Sequence, residues 1–394
     1  MGSKETEVTR DARFAAALLG TYWGMRGVVP EDGPHERGVF FFRVGGGTYA
    51  LISAPSGMQA EAGFRALKYV HGRGLSTWEP LPNLFGTYTV HVRGTAYAVC
   101  RVYETPAKAP SPYPSRWDDS EEASEWRVRA AQTLAHLHRL TALSASPSAV
   151  AAFLEGERRA LAERAECMAR REREIASAPY PSPVEALFFA NLAFLRAAVE
   201  VARTSLDGVA PGETYPLVLV HGSPVADAFD SAGRVLGFWS SVAFAPAAVD
   251  LAAFFRGGIE AAVTAGGPVF RFRRGGEIWL VRSREAWEAY TAVRPPAESE
   301  VALLRALLAA PARSLDFFCR YPADTAGHEL DLVRRFERYL DEDYLAGVLA
   351  AALPFPSVPV EEGADVEEKE DEEHEDVKRR GRDERAEEVH EDHR

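Results

Sequence analysis

The chain has 394 residues, 46% of them hydrophobic, so it can bury a sizeable core, and its length fits two or three lobes. Its net charge of −13 is concentrated at one end: residues 361–394 hold 17 acidic and 7 basic side chains, leaving only −3 elsewhere. A nearly neutral body suggests neither a basic nucleic-acid face nor a polybasic membrane patch, and no uninterrupted run of about 18 apolar residues offers a membrane span.

In chain order, the first expected element is an apolar-rich helix over 13–25. GVFFFRV and TYALISA follow, two β-rich runs around Gly45-Gly46-Gly47, and read as an antiparallel hairpin. The glycines read as a turn rather than a phosphate-covering loop, because they match neither GxGxxG nor a P-loop. EAGFRALKYVH, 61–71, spaces Phe64, Leu67 and Val70 as a helix does and stops at Gly72. GTYTVHVRGTAYAVCRVYE reads as a second hairpin turning near Arg93-Gly94.

Four prolines between Thr105 and Trp117 interrupt any regular structure. They mark a hinge, 105–117, between a β-rich lobe over 1–104 and a helical lobe over 118–353. Helices are expected over 120–143, which contains TLAHLHRL, and over 148–176 and 184–204. LVLVHGSPVADAFDSAGRVLGFWSS, 217–241, reads as a strand, a polar loop, a tight DSAG turn and a second strand. Asp250 then fits an N-cap before LAAFFRGG, VFRFRRGGEIWLV a short hairpin, and 283–292, 298–308 and 331–352 three helices. From 354 to 394 the chain is charged and poor in apolar residues, so it reads as a solvated, disordered tail.

Cys100, Cys167 and Cys319 are odd in number, widely spaced and outside any CxxC grouping. They are expected to be reduced, buried thiols in a cytosolic protein, not disulfide or zinc partners. His136 and His138 lie two apart on a helix, so they do not share a face and cannot form an i, i+4 metal pair. There is no GxSxG elbow, HExxH or Rossmann fingerprint.

The order of elements, with VHGSPVADAFDSAGRVLGFW, AAVDLAAFF, TLAHLHRL and SREAWEAYTAVRPPAESEVALLRALLAAPARSLDFFCRYP, resembles the aminoglycoside-phosphotransferase-like branch of the protein-kinase-like fold. Within that branch it is most similar to the spore-coat CotS family, whose C-terminal helices carry an "aYxxxrPlxxxExxlLxxlLxxP" pattern. The resemblance implies an α+β, bilobal fold with a β-rich N-lobe, a mainly helical C-lobe and a catalytic loop within 217–255.

Phosphoryl transfer needs a lysine on the phosphates, carboxylate and amide ligands for Mg²⁺, and an acidic group that orients the nucleophile. In the family the loop runs His-x-Asp with an Asn five residues later; the matching positions here are His221, Ser223 and Ala228. The second metal-binding Asp should fall near 238–240, where Phe238, Trp239 and Ser240 stand, and the clamping lysine near Ile52, on a strand without lysine. Gly222 and Asp250 match, and the family's Asp braces the catalytic loop by hydrogen bonds.

The expected function is therefore that of an inactive kinase-like protein, a pseudokinase without cofactor or metal. It would act as a binding or structural component, cytoplasmic or in the bacterial spore coat. Its partners would be proteins, coat components among them, reached through the surface or the acidic tail, with no nucleic acid or membrane. The alternative is a divergent small-molecule phosphotransferase or nucleotide-binding protein that uses ATP and Mg²⁺ through Asp227 and Asp230. Arginine is a poor substitute for the missing lysine, because its planar fork demands different geometry.

Overall fold

A computed structural model of the chain describes residues 2–30, 39–54, 58–103, 121–209, 215–222, 229, 233, 243–266, 272–321 and 328–355. Met1–Pro354 forms one compact unit and Phe355–Arg394 another. The hinge over 105–117 and nearly all of the tail lie outside the described residues.

The N-terminal part is a six-stranded antiparallel sheet between two helices. Helix α1 (Gly2–Trp23) buries Ala15, Leu18, Leu19 and Trp23 against Phe42, Leu51, Val90 and Val99 of the sheet. Strands β1 (Val29–Pro30), β2 (Val39–Val44) and β3 (Gly47–Ala54) lead into α2 (Met58–Gly72), which buries Phe64, Leu67 and Val70. Strands β4 (Glu79–Leu81), β5 (Thr89–Val92) and β6 (Thr95–Val102) complete the sheet, in the order β1-β2-β3-β6-β4 with β5 also paired to β6.

Both expected hairpins are present. Val44 lies opposite Gly47, leaving Gly45 (φ 56) and Gly46 (φ 82) as a two-residue turn whose positive φ angles suit glycine. The turn between β5 and β6 has the same form but places Arg93 at φ 53 beside Gly94 at φ 81.

The C-terminal part is helical around a small β-ladder. Helices α3 (Glu121–Thr141), α4 (Pro147–Ser177) and α5 (Pro183–Asp207) precede β7 (Leu217–Val220), which pairs antiparallel with β8 (Ala243–Pro246). Then come α6 (Ala247–Gly266), α7 (Phe272–Val293), α8 (Glu298–Ala309), α9 (Ala312–Arg320) and α10 (Glu329–Ala352). Ser182 starts α5 by a capping box with Glu185, satisfying two backbone N–H groups at that end. Phe188, stacked on Phe318 at 3.8 Å, centres a core that α4, α5, α9 and α10 share.

Three expectations are corrected. VFRFRRGGEIWLV is no hairpin: from Phe272 onward it belongs to α7, whose burial of Ser283, Ala286, Trp287 and Tyr290 overrides the local β-propensity of its start. Asp250 is no N-cap, because α6 begins three residues earlier, directly after β8. Cys167 and Cys319 are not separate thiols: α4 packs against α9, bringing their Cα atoms to 6.2 Å, and they form a disulfide despite 152 residues of separation. Cys100 is a free, buried thiol, its pKa pushed up by burial and by nearby Glu79. Among the described residues, no helix is long and apolar enough to cross a membrane.

Candidate functional site

The strand–loop stretch singled out in the sequence is anchored from below by α3. That helix presents three buried polar side chains to it. Thr141 Oγ1 accepts from the Leu219 N–H at 3.0 Å while donating to Leu137 O at 2.8 Å. Leu143, just beyond the helix, exchanges two backbone hydrogen bonds with Leu217, of 2.9 and 3.1 Å. Further up α3, Thr133 donates to Gly233 O at 2.9 Å, fixing the end of the DSAG turn. Gly233 has φ 71, and a Cβ there would stand 2.6 Å from Trp126 O and 2.9 Å from Ala130 N, so its backbone lies directly on the helix.

The third α3 side chain is His138, and it meets Asp250. The Asp250 carboxylate is fully buried in the first turn of α6 and points back at the strand end. Its Oδ2 accepts from the His221 N–H at 2.7 Å and lies 3.1 Å from His138 Nε2; its Oδ1 accepts from the Gly222 N–H at 2.7 Å. Gly222, at φ 81, turns the chain so that both amides face one carboxylate. With three donors on its two oxygens and no exposure, Asp250 is committed to holding the loop start.

The network continues away from the loop. His138 Nδ1 is 2.8 Å from the Tyr290 hydroxyl, which accepts from Arg294 Nη1 at 3.2 Å; Arg294 Nη2 donates to Glu300 at 2.7 Å. Glu300 in turn accepts from the Ala297 N–H at 3.0 Å, at the start of α8. The links are mutually compatible when His138 donates from Nε2 to Asp250 and accepts the Tyr290 proton at Nδ1. Burial pushes the Tyr290 hydroxyl pKa up, consistent with a neutral phenol in this position. The Tyr, Arg and Glu of the C-terminal sequence pattern are thus one buried chain leading to the loop.

On the sheet side, Ile52 of β3 is fully buried. Lys68 lies instead on α2, where it donates to Glu79 of β4, which also accepts from the Tyr103 hydroxyl. Those two hydrogen bonds hold the Glu79 carboxyl below its ordinary pKa. Glu61, in the first turn of α2, accepts from the Tyr88 N–H at 2.8 Å, the Thr89 N–H at 2.9 Å and the Thr89 hydroxyl at 3.0 Å. Burial opposes its charge, but Arg65 and these donors outweigh it and hold the pKa low. Its acceptor capacity therefore goes to the start of β5.

Of the candidate positions, the structure places His221, Gly222 and Asp250 together. Ser223, Asp227, Ala228, Asp230, Trp239 and Ser240 lie outside the described residues. Phe229 is buried, edge-on to Trp126 at 5.7 Å and to Phe254 at 6.1 Å, which ties the loop to α3 and α6. His136 packs apart from His138, beside Arg139 at 3.1 Å; burial and that guanidinium lower its pKa. Among the described residues, no group of three or more His, Cys, Asp or Glu side chains is placed to hold a metal. Sequence reasoning missed Thr133, Thr141 and the linkage of Tyr290 to His138. The spacing of Tyr290, Arg294 and Glu300 was the available signal for the last.

The sheet, the braced strand–loop and the helical C-terminal part define a bilobal α+β fold of the aminoglycoside phosphotransferase-like, kinase-like class. One similar solved structure is an aminoglycoside phosphotransferase from Alicyclobacillus acidocaldarius subsp. acidocaldarius, with a TM-score of 0.55 at 12% identity, over 83% of this chain and 91% of that one. Spectinomycin phosphotransferase, in its AMP-bound complex, gives a TM-score of 0.55 at 13% identity over 87% and 99% of the two chains. Its complex with ADP and spectinomycin gives 0.54 at 13% over 86% and 98%. No protein-family model matches the sequence, and no curated protein does.

Proposed function

We propose that this chain is a pseudokinase: a protein that keeps the phosphotransferase scaffold, has lost the reaction, and acts as a binding or structural component. Its sequence likeness to CotS proteins makes the bacterial spore coat the proposed setting, with other coat proteins as partners. The observation that carries the reading is Ile52, a fully buried aliphatic side chain on a lysine-free strand, near where the sequence likeness would put the phosphate-clamping lysine. A charged group cannot replace it without a large desolvation cost. Support comes from the loop sequence, where Ser223 and Ala228 replace the base and a metal ligand and Phe238-Trp239-Ser240 replaces the metal-binding Asp. Lys68, a cation of the same sheet region, is occupied by Glu79.

Relatives in fold bind ADP and AMP, so nucleotide binding is the property to test. Thermal unfolding followed during ATP titration, with and without Mg²⁺, is expected to show no saturable shift at millimolar nucleotide. A Mg²⁺-dependent stabilisation that disappears in Asp227→Asn or Asp230→Asn would overturn the proposal in favour of a divergent phosphotransferase.

A further inference from the structure

Away from the loop, a concavity lies among α6, α9 and α10. It encloses 420 Å³, and its wall carries Arg313, Asp316, Arg320 and Tyr321 from α9 and its end, Arg335 and Tyr339 from α10, and Glu260 from α6. The α9 residues 313, 316 and 320 follow the i, i+3, i+7 rhythm of one helix face, and 335 and 339 are one turn apart on α10. Two helix faces therefore converge on one space.

The carboxylates of this wall are already engaged. Asp316 receives two hydrogen bonds from Arg164 of α4, Nε to Oδ1 at 2.8 Å and Nη2 to Oδ2 at 3.1 Å. Glu260 accepts from Arg313 at 2.9 Å, and the other arm of Arg313 reaches Glu342 at 2.6 Å. Arg320 and Arg335, by contrast, are exposed to solvent at the mouth of the concavity, like the neighbouring Arg334 outside it, and have no ion-pair or hydrogen-bond partner among the described residues. Two guanidinium groups are left over in a space whose acidic neighbours are neutralised. The disulfide at Cys319 ties α9 to α4 next to Arg320, so one arginine is carried on a fixed helix.

We infer that this concavity is a binding site for a small oxyanion-bearing ligand, a phosphate or a carboxylate compound, clamped by Arg320 and Arg335. The guanidinium fork matches both groups, with two parallel N–H donors to two oxygens. The site uses none of the loop residues and does not depend on whether the loop is active.

The test is calorimetric titration of the full chain at constant ionic strength, with inorganic pyrophosphate in one arm and citrate in the other. Saturable binding in either arm is expected, with the dissociation constant raised about tenfold or more in Arg320→Gln/Arg335→Gln. Arg334→Gln, which removes an exposed arginine outside the wall, and Asp227→Asn/Asp230→Asn should both bind as the native chain does. The arm that binds more tightly decides between phosphate and carboxylate. No saturable binding, equal binding by the Arg320/Arg335 variant, equal weakening by Arg334→Gln, or loss in the Asp227/Asp230 variant would each overturn the inference.

Discussion

Replacing Asp250 with asparagine keeps its size and shape but turns one oxygen into a donor. In one amide orientation the new NH₂ faces the Gly222 N–H, where the carboxylate now accepts at 2.7 Å; in the other it faces the His221 N–H, also at 2.7 Å. A change of His138 tautomer can accommodate the second orientation at Nε2, but it then reverses the bond to Tyr290 and still leaves the His221 amide opposed. Each orientation thus strands one buried backbone donor and weakens what remains by removing the charge. A lost charge-assisted hydrogen bond costs about 1.5–3 kcal/mol, and a stranded buried donor about 1–3 kcal/mol more. We expect Asp250→Asn to lose roughly 3 kcal/mol or more of stability in chemical denaturation, within the range for breaking buried charged networks. Hydrogen exchange at the His221 and Gly222 amides should accelerate before exchange in α5 and α10 does. A loss below about 1 kcal/mol, with exchange at those two amides unchanged, would refute the bracing role.

Gly233→Ala forces a Cβ to within 2.6 Å of Trp126 O at φ 71, and is expected to cost about 2 kcal/mol or more in denaturant unfolding; near-native stability would mean that the turn does not rest on α3. Burial, reinforced by Glu337 and Glu342, pushes the Asp341 carboxyl up from 3.8 to about 6. The folded state then binds more protons than the unfolded state between those values, so stability falls as pH rises through that window. Asp341→Asn should flatten this slope, checked by urea unfolding at several pH values; an unchanged profile would count against a buried Asp341. Reduction of Cys167–Cys319, which spans 152 residues, should lower stability by up to about 5 kcal/mol in the chain-entropy limit. Peptide mapping without reductant should recover the linked pair, and finding both peptides unlinked would remove the cross-link.

What the sequence made legible was local. The two-residue turns at Gly45-Gly46 and Arg93-Gly94 declare themselves because hairpin chemistry depends on a few adjacent residues. The strand into His221-Gly222 was readable for the same reason. Helix α9 escaped because its nine residues follow Pro311 and show only two turns of pattern. The Cys167–Cys319 link escaped because spacing along the chain carries no information about the packing of α4 on α9 that closes 152 residues. Asp250 was visible but was assigned to its own helix. Its partners, His138 and the amides of His221 and Gly222, lie 112, 29 and 28 residues away, and periodicity cannot report such pairings.

On the proposed reading, the buried network gives a physical reason for scaffold and reaction to part company. Four described polar groups around the loop serve the fold: Thr141 and Asp250 satisfy backbone amides at the end of β7, Thr133 holds Gly233, and Glu300 pairs with Arg294. Removing any of them strands a buried donor, acceptor or charge, a penalty that falls on stability whether or not a substrate is ever bound. The positions that phosphoryl transfer requires are of another kind. Carboxylates gathered to hold Mg²⁺ repel one another until the metal arrives, and a lysine at Ile52 would need its phosphate partner to justify burial. On the proposed reading, Ser223, Ala228 and Ile52 at such positions relieve the empty protein of that cost. On the proposed reading, folding itself favours keeping the brace and discarding chemistry that is not needed.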